Sequence, residues 1–161
     1  MSETPERPWY ETVVIPALLR HARKAYGGAM RAALREVGCD DMPHNGMYLI
    51  GGMALGAGGT PLGQLVRELG VSKQAAGQLV DTLVARGYLQ RSVDAHDRRK
   101  LTISLTPRGQ AAAAAQAAAR ERIDARLVAR AGADAVAQMR IGLGALCVMG
   151  REQAAADGQD G

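Results

Sequence analysis

Near Gly87 the apolar periodicity of this chain changes from about 3.6 residues to 2, and that switch limits the folds open to it. Upstream, Leu62, Leu65, Val66 and Leu69 give a short helix its apolar stripe, with Thr60 as its cap and Pro61 at its first position. Gly70-Val71 makes a tight break before Ser72, which caps a second helix expected over 73–86. On that helix Ala76, Leu79, Val80 and Leu83 share one side, and Lys73, Gln74, Gly77, Gln78 and Asp81 share the other. Downstream, Tyr88–Ser92 and Leu101–Leu105 are the strand candidates, joined by the polar stretch Val93–Lys100. A hairpin by itself is marginal in water, so the neighbouring helices must support it. Helix, tight turn, polar-faced helix and basic-tipped hairpin, in that order, describe a winged helix-turn-helix.

The flanks read as helices. Val14, Leu18, Ala22, Ala29, Ala33 and Val37 recur at helical spacing over 11–37, and Gly38 to Asp41 ends that element. His44 to Leu55 reads as a short helix with Met47, Tyr48, Ile50 and Met53 near its packed side. Thr106-Pro107 opens a long alanine-rich helix to about Arg130, Gly132 breaks it, and a last helix is expected over 133–148. Aromatic residues are only 3% of the chain and Phe is absent, so the core must come from Ala, Leu, Val and Met. That composition suits closely packed helices and argues against an all-β fold. The expected class is mainly α, a winged helix-turn-helix with a two-stranded wing and long terminal helices. The winged unit occupies 43–106, the helical regions 11–42 and 107–150, and flexible tails 1–10 and 151–161.

Charge is distributed unevenly. Residues 61–110 carry eight Lys or Arg against four Asp or Glu, whereas 1–60 and 111–161 are each balanced at six against six. The net charge of +4 therefore arises wholly within 61–110, where a polyanion would be met. No triad, paired-carboxylate motif or metal-ligand spacing emerges, and His21, His44 and His96 are scattered, so an enzyme is not expected and neither is a cofactor. Cys39 and Cys147 lack CxxC company and read as reduced thiols of a cytoplasmic protein, Cys39 in an accessible helix connection and Cys147 packed. Neither a signal peptide nor a membrane span is expected.

Val71-Ser72-Lys73-Gln74-Ala75-Ala76, then Leu79-Val80-Asp81-Thr82-Leu83 and Arg86-Gly87-Tyr88-Leu89, resemble the recognition-helix region of MarR-family transcriptional regulators. The likeness continues through Asp94, Asp97-Arg98-Arg99 and Leu105-Thr106-Pro107-Arg108-Gly109, so it covers 60–109 closely and the outer helices only in architecture. It implies a homodimer joined by its first and last helices, reading a roughly palindromic operator in double-stranded DNA. The long terminal helices also carry more apolar stripe than one small reading module needs. Repression relieved by a small aromatic or phenolic ligand is implied too. The alternatives are a cysteine-based redox sensor, with Cys39 as its thiol, and a protein-interaction scaffold.

Each site residue has a functional and a plain reading. Ser72 is a helix cap and a candidate phosphate contact, and Lys73 is a phosphate contact or a solvated lysine. Gln74 and Gln78 carry amides that donate and accept, as base-edge reading requires, or they merely solvate a helix. Gly77 lets the helix approach DNA closely or reflects local packing. By the family resemblance, Asp97 holds Arg98 or Arg99, or is simply solvated; Arg99 is the first candidate for the minor groove, with Arg98 or Lys100 on phosphates, or each is a free surface charge. Trp9, Tyr10, His21, Tyr26, Met47, Tyr48 and Met53 are the candidate walls of a ligand pocket, or ordinary packing.

Overall fold

Six helices and a two-stranded sheet make up the computed structural model, which describes residues 8–55, 62–93 and 101–157. The order is α1 (Ile15–Glu36), α2 (His44–Met53), α3 (Leu62–Leu69), α4 (Lys73–Ala85), β1 (Leu89–Val93), β2 (Leu101–Leu105), α5 (Pro107–Ala131) and α6 (Ala133–Asp157). The chain divides into two compact units, residues 1–120 and 121–161, with the division falling inside α5.

The first unit holds the core. Leu34 of α1, Met47, Leu49 and Ile50 of α2, Val80 and Leu83 of α4, and Leu89 of β1 are buried together with Tyr88 and Cys39. Ala112 and Ala113 complete it from α5. The buried positions of α5 in this unit, Gly109, Ala112, Ala113, Gln116 and Ala119, recur every three or four residues and are mostly very small. They let the α5 backbone come up against the core: a Cβ on Gly109 would lie 2.2 Å from the Tyr88 carbonyl oxygen. The alanine run is thus a close-packing face in a strong helix former.

β1 and β2 pair antiparallel, with Leu89 opposite Leu105 and Arg91 opposite Ile103. Ile103 and Leu105 pack on the core and so anchor the wing's base. The ladder continues where the Thr106 N–H donates to the Tyr88 carbonyl at 3.1 Å. Thr106 Oγ1 then accepts from the Gly109 N–H at 3.0 Å, capping α5.

Several boundaries differ from the expectations. The first long helix starts at Ile15, and Trp9–Glu11 form an exposed 3-10 turn in place of the last part of a frayed tail. β1 begins one residue late, because Gly87, at φ +73°, and Tyr88 still belong to the turn that follows α4. The last helix runs to Asp157, well past Val148 and into the expected flexible tail. Gly142, Gly144 and Gly150 do not interrupt it, since single glycines weaken a helix without removing a backbone donor. The cysteine assignments are reversed. Cys39 is 2% exposed, because the turn after α1 folds back with the Cys39 N–H on the Leu34 carbonyl at 2.8 Å. Cys147 is exposed.

In the second unit α5 ends at Gly132, whose φ is +85°, and α6 follows at once. Val136 is buried, but Val128, Met139, Ile141, Leu146, Val148 and Met149 are exposed.

Candidate nucleic-acid interface

The turn between α3 and α4 is built by Gly70, at φ +64°, a conformation that costs other residues a Cβ clash. Ser72 follows in extended conformation, and its Oγ accepts from the Ala75 N–H at 3.1 Å, capping α4 as the sequence implied. With its 13 residues α4 is about 20 Å long, sufficient to lie in a major groove. Ala76, Val80 and Leu83 are buried beneath it. Lys73, Gln74, Gly77, Gln78 and Asp81 are exposed on the far side, so α4 offers a polar face of small bulk. A Cβ on Gly77 would meet nothing within 4 Å, so no internal packing calls for a glycine there.

The wing is fastened to this helix at two levels. Arg91 of β1 forms an ion pair and hydrogen bond with Asp81 of α4. Both side chains are well exposed, so the pair contributes little stability and acts chiefly in orienting the strand. At the wing's base Tyr88 is fully buried and its hydroxyl donates to Asp41 Oδ1. Arg108 of α5 stacks 4.3 Å from the centre of the Tyr88 ring and pairs with Asp41 Oδ1 at 2.9 Å. The same guanidinium donates to the carbonyls of Gly38, at 3.1 Å, and of Arg86, at the end of α4. Burial, and then the bond to Asp41, push the Tyr88 phenol well above its ordinary pKa. The Tyr88 hydroxyl, aided by Arg108 and opposed by partial desolvation, holds the Asp41 carboxyl below its ordinary pKa. The sequence left Asp41 in a polar turn, and its role depends on partners 47 and 67 positions away. Asp97, Arg98, Arg99 and Lys100, with Asp94 and His96, lie outside the described residues.

A cavity of about 580 Å³ opens in the first unit, walled by α1, α2, α3 and α5. Of the residues expected to line a pocket, Tyr26, Met47 and Tyr48 do so. The other four lie elsewhere. Met53 packs against the core, and Trp9 stacks edge-on with Tyr10 and His21, at ring separations of 6.0 and 6.4 Å. The sequence reading missed most of the polar lining: Arg20, Arg23, Lys24, Arg31, Gln116 and Arg120. Helical spacing along α1 groups Arg20, Arg23, Lys24 and Arg31, whereas Gln116 and Arg120 stand out only as the polar interruptions of an alanine run. Tyr48 donates its hydroxyl to Glu68 Oε2, and Gln64 donates to Oε1 at 3.0 Å, so α2 and α3 are tied at the cavity's edge. That bond raises the pKa of the Tyr48 phenol. Among the described residues no group of three or more His, Cys, Asp or Glu could hold a metal ion, and no helix is long and apolar enough to cross a membrane.

Residues 53–100 match the model of the MarR family. No curated protein matches the sequence. Among solved structures, the chain is similar to a transcriptional regulator of the MarR family from Rhodococcus sp. RHA1, with TM-score 0.62 and 21% identity over 88% of this chain and 97% of that one. Transcriptional regulator Tm0710 from Thermotoga maritima gives 0.53 and 25% identity over 86% and 96%. S. aureus MepR, solved as a complex with DNA, gives 0.61 and 19% identity over 85% and 98%. With ethidium bromide bound, the same protein gives 0.56 and 18% over 86% and 98%. At 21%, 19% and 18% identity, the likenesses to the Rhodococcus regulator and to both MepR structures speak for the fold alone.

Proposed function

We propose that this chain, whose residues 53–100 match the MarR family model, is a homodimeric, sequence-specific DNA-binding regulator of transcription that acts as a repressor released by a small ligand. The observation that carries the DNA reading is the exposed polar face of α4, with a wing strand tied beside it through Asp81 and Arg91. In this reading α4 enters the major groove. Gln74 and Gln78 meet base edges, Lys73 and the Ser72 cap meet phosphates, and Gly77 allows the close approach. Arg99 enters the adjacent minor groove from the wing tip, flanked by Arg98 and Lys100 on phosphates and held by Asp97.

Dimerisation is supported by the apolar side chains left exposed on the terminal helices, Ile15 and Leu19 of α1 and Ile141, Leu146, Val148 and Met149 of α6. Such surfaces fit a self-complementary interface. Release by a ligand is supported by the cavity, whose α3 wall belongs to the helix that precedes the reading helix. A ligand acts by binding better to a conformation that DNA does not accept. S. aureus MepR, of the same fold, has been solved both with DNA and with ethidium bromide.

Selection of bound duplexes from a random pool tests the proposal. The expected product is an inverted repeat whose half-sites lie about one helical turn, roughly 34–36 Å, apart. Affinity for it falls with salt at a log–log slope of about −0.9 per phosphate neutralised. A pool that emerges without sequence preference refutes it.

A further inference from the structure

We infer that α4 reads two adenines in each half-site of the operator, one through the amide of Gln74 and one through that of Gln78, about two base pairs apart. The assignment rests on the DNA reading of α4 and adds the letters that this face selects. Placement, chemistry and spacing carry it.

Placement comes first. At about 100° per residue, Gln74, Gln78 and Asp81 fall within an arc of about 60° on the exposed side of α4, opposite the buried Ala76, Val80 and Leu83. Lys73 stands about 100° round from Gln74, on the flank, where groove walls carry the phosphates. Ala75 and Gly77 are exposed beside the glutamines and add almost no bulk, so the two amides are the longest side chains of the arc. The neighbouring polar groups are engaged: Thr82 Oγ1 donates to the Gln78 carbonyl at 2.7 Å, and Asp81 Oδ1 accepts from Arg91 of β1. No hydrogen bond ties either glutamine amide to another described residue.

The chemistry of an amide then selects the base. Its oxygen accepts and its nitrogen donates. In the major groove adenine presents N6–H as a donor beside N7 as an acceptor, so Oε1 accepts from N6 while Nε2 donates to N7. Guanine presents two acceptors there, O6 and N7, and leaves Oε1 unpaired or facing one of them. Cytosine presents a donor alone, and thymine an acceptor alone. The side chain best suited to guanine is arginine, and α4 holds none from Lys73 to Ala85.

Spacing sets the register. Gln74 and Gln78 are one turn apart, about 6 Å along the helix, against about 3.4 Å for each base-pair step. Side chains of equal length on one stripe therefore reach bases about two steps apart.

Duplex selection with the full chain, repeated with Gln74→Ala and Gln78→Ala, tests the letters. Both positions are exposed, so alanine leaves the packing intact, and thermal melts verify it. The wild-type pool carries the two adenines in each half-site, and changing either to guanine weakens binding about 5-fold to 150-fold. Each alanine variant loses the preference at one position and keeps it at the other. Replacing an adenine by 7-deazaadenine removes the N7 acceptor and keeps the base pair. It weakens wild type about 2-fold to 10-fold and leaves the matching variant unchanged. Half-sites that lack such adenines, or an adenine preference that survives in both variants, overturn the inference. So does equal sensitivity of wild type and matching variant to 7-deazaadenine, since DNA shape rather than the amide then selects the base. A pool without any sequence preference removes the DNA reading as well, whereas a preferred sequence with guanine at these positions removes the assignment alone.

Discussion

Gly77→Ala should make the protein more stable and a poorer binder of DNA. The residue stands inside α4, exposed, and an added Cβ would find nothing within 4 Å. Without a clash to offset it, the helix preference for Ala over Gly applies almost in full, about 0.5–1 kcal/mol, partly through the unfolded chain's lost freedom. For a chain of this size that raises the melting temperature by about 1–4 °C. In the proposed complex the methyl meets DNA at a surface shaped without it, and overpacking of that kind costs about 1–3 kcal/mol. Affinity for the selected duplex then falls about 5-fold to 150-fold. Calorimetric melting and fluorescence anisotropy at matched salt read the two effects separately. A variant that melts lower than wild type refutes the packing argument, and one that is more stable yet binds normally refutes the close approach.

Other perturbations test the scaffold and the electrostatics. Tyr88→Phe should destabilise by about 1–2 kcal/mol at pH 7, less than a fully buried charged hydrogen bond because Asp41 is partly solvated. Asp41 has a lowered folded pKa, so its contribution is complete above the unfolded value near 3.8 and fades as pH falls through the folded one. Urea unfolding should therefore show the deficit of Tyr88→Phe shrinking on acidification below about pH 4; a deficit that grows there contradicts the linkage. Gly109→Ala drives a methyl into the Tyr88 carbonyl, 2.2 Å away, and should cost at least about 3 kcal/mol or abolish folding, as urea titration would reveal. Lys73→Ala should weaken binding similarly for all sequences and reduce the salt slope by about one, measured by anisotropy over a salt series.

Much of the fold is written in local patterns. The α3–turn–α4 unit follows from apolar spacing and from Gly70 and Ser72, and β2 from strict alternation, because these features depend on near neighbours in sequence. The polar face of α4 was legible for the same reason. Periodicity identifies which face turns inward but not what it meets. Asp41, Tyr88 and Arg108 are brought together from three separate elements, and nothing near Asp41 in sequence distinguishes it from Asp40. Cys39 read as accessible because it lies in a connection, whereas the backbone bond to Leu34 folds that connection inward. Gln116 and Arg120 were overlooked inside an alanine run that already had a sufficient explanation. The pocket residues at the N-terminal end, Trp9, Tyr10 and His21, were grouped by chemical type, and type does not specify place.

Arg108 has a mechanical consequence. Its guanidinium holds the end of α4, the turn after α1 and the ring at the foot of the wing, while Thr106 and Gly109 pin the start of α5 to that same foot. Four elements are thus fastened at one point, so a tilt of the start of α5 would carry the reading helix and the foot of the wing with it. A tilt of α5 of about 5° displaces the far end of α4, about 20 Å away, by nearly 2 Å. The reading head gains reach from its rigidity: a small rotation at the hub is enough to move it out of register with a groove.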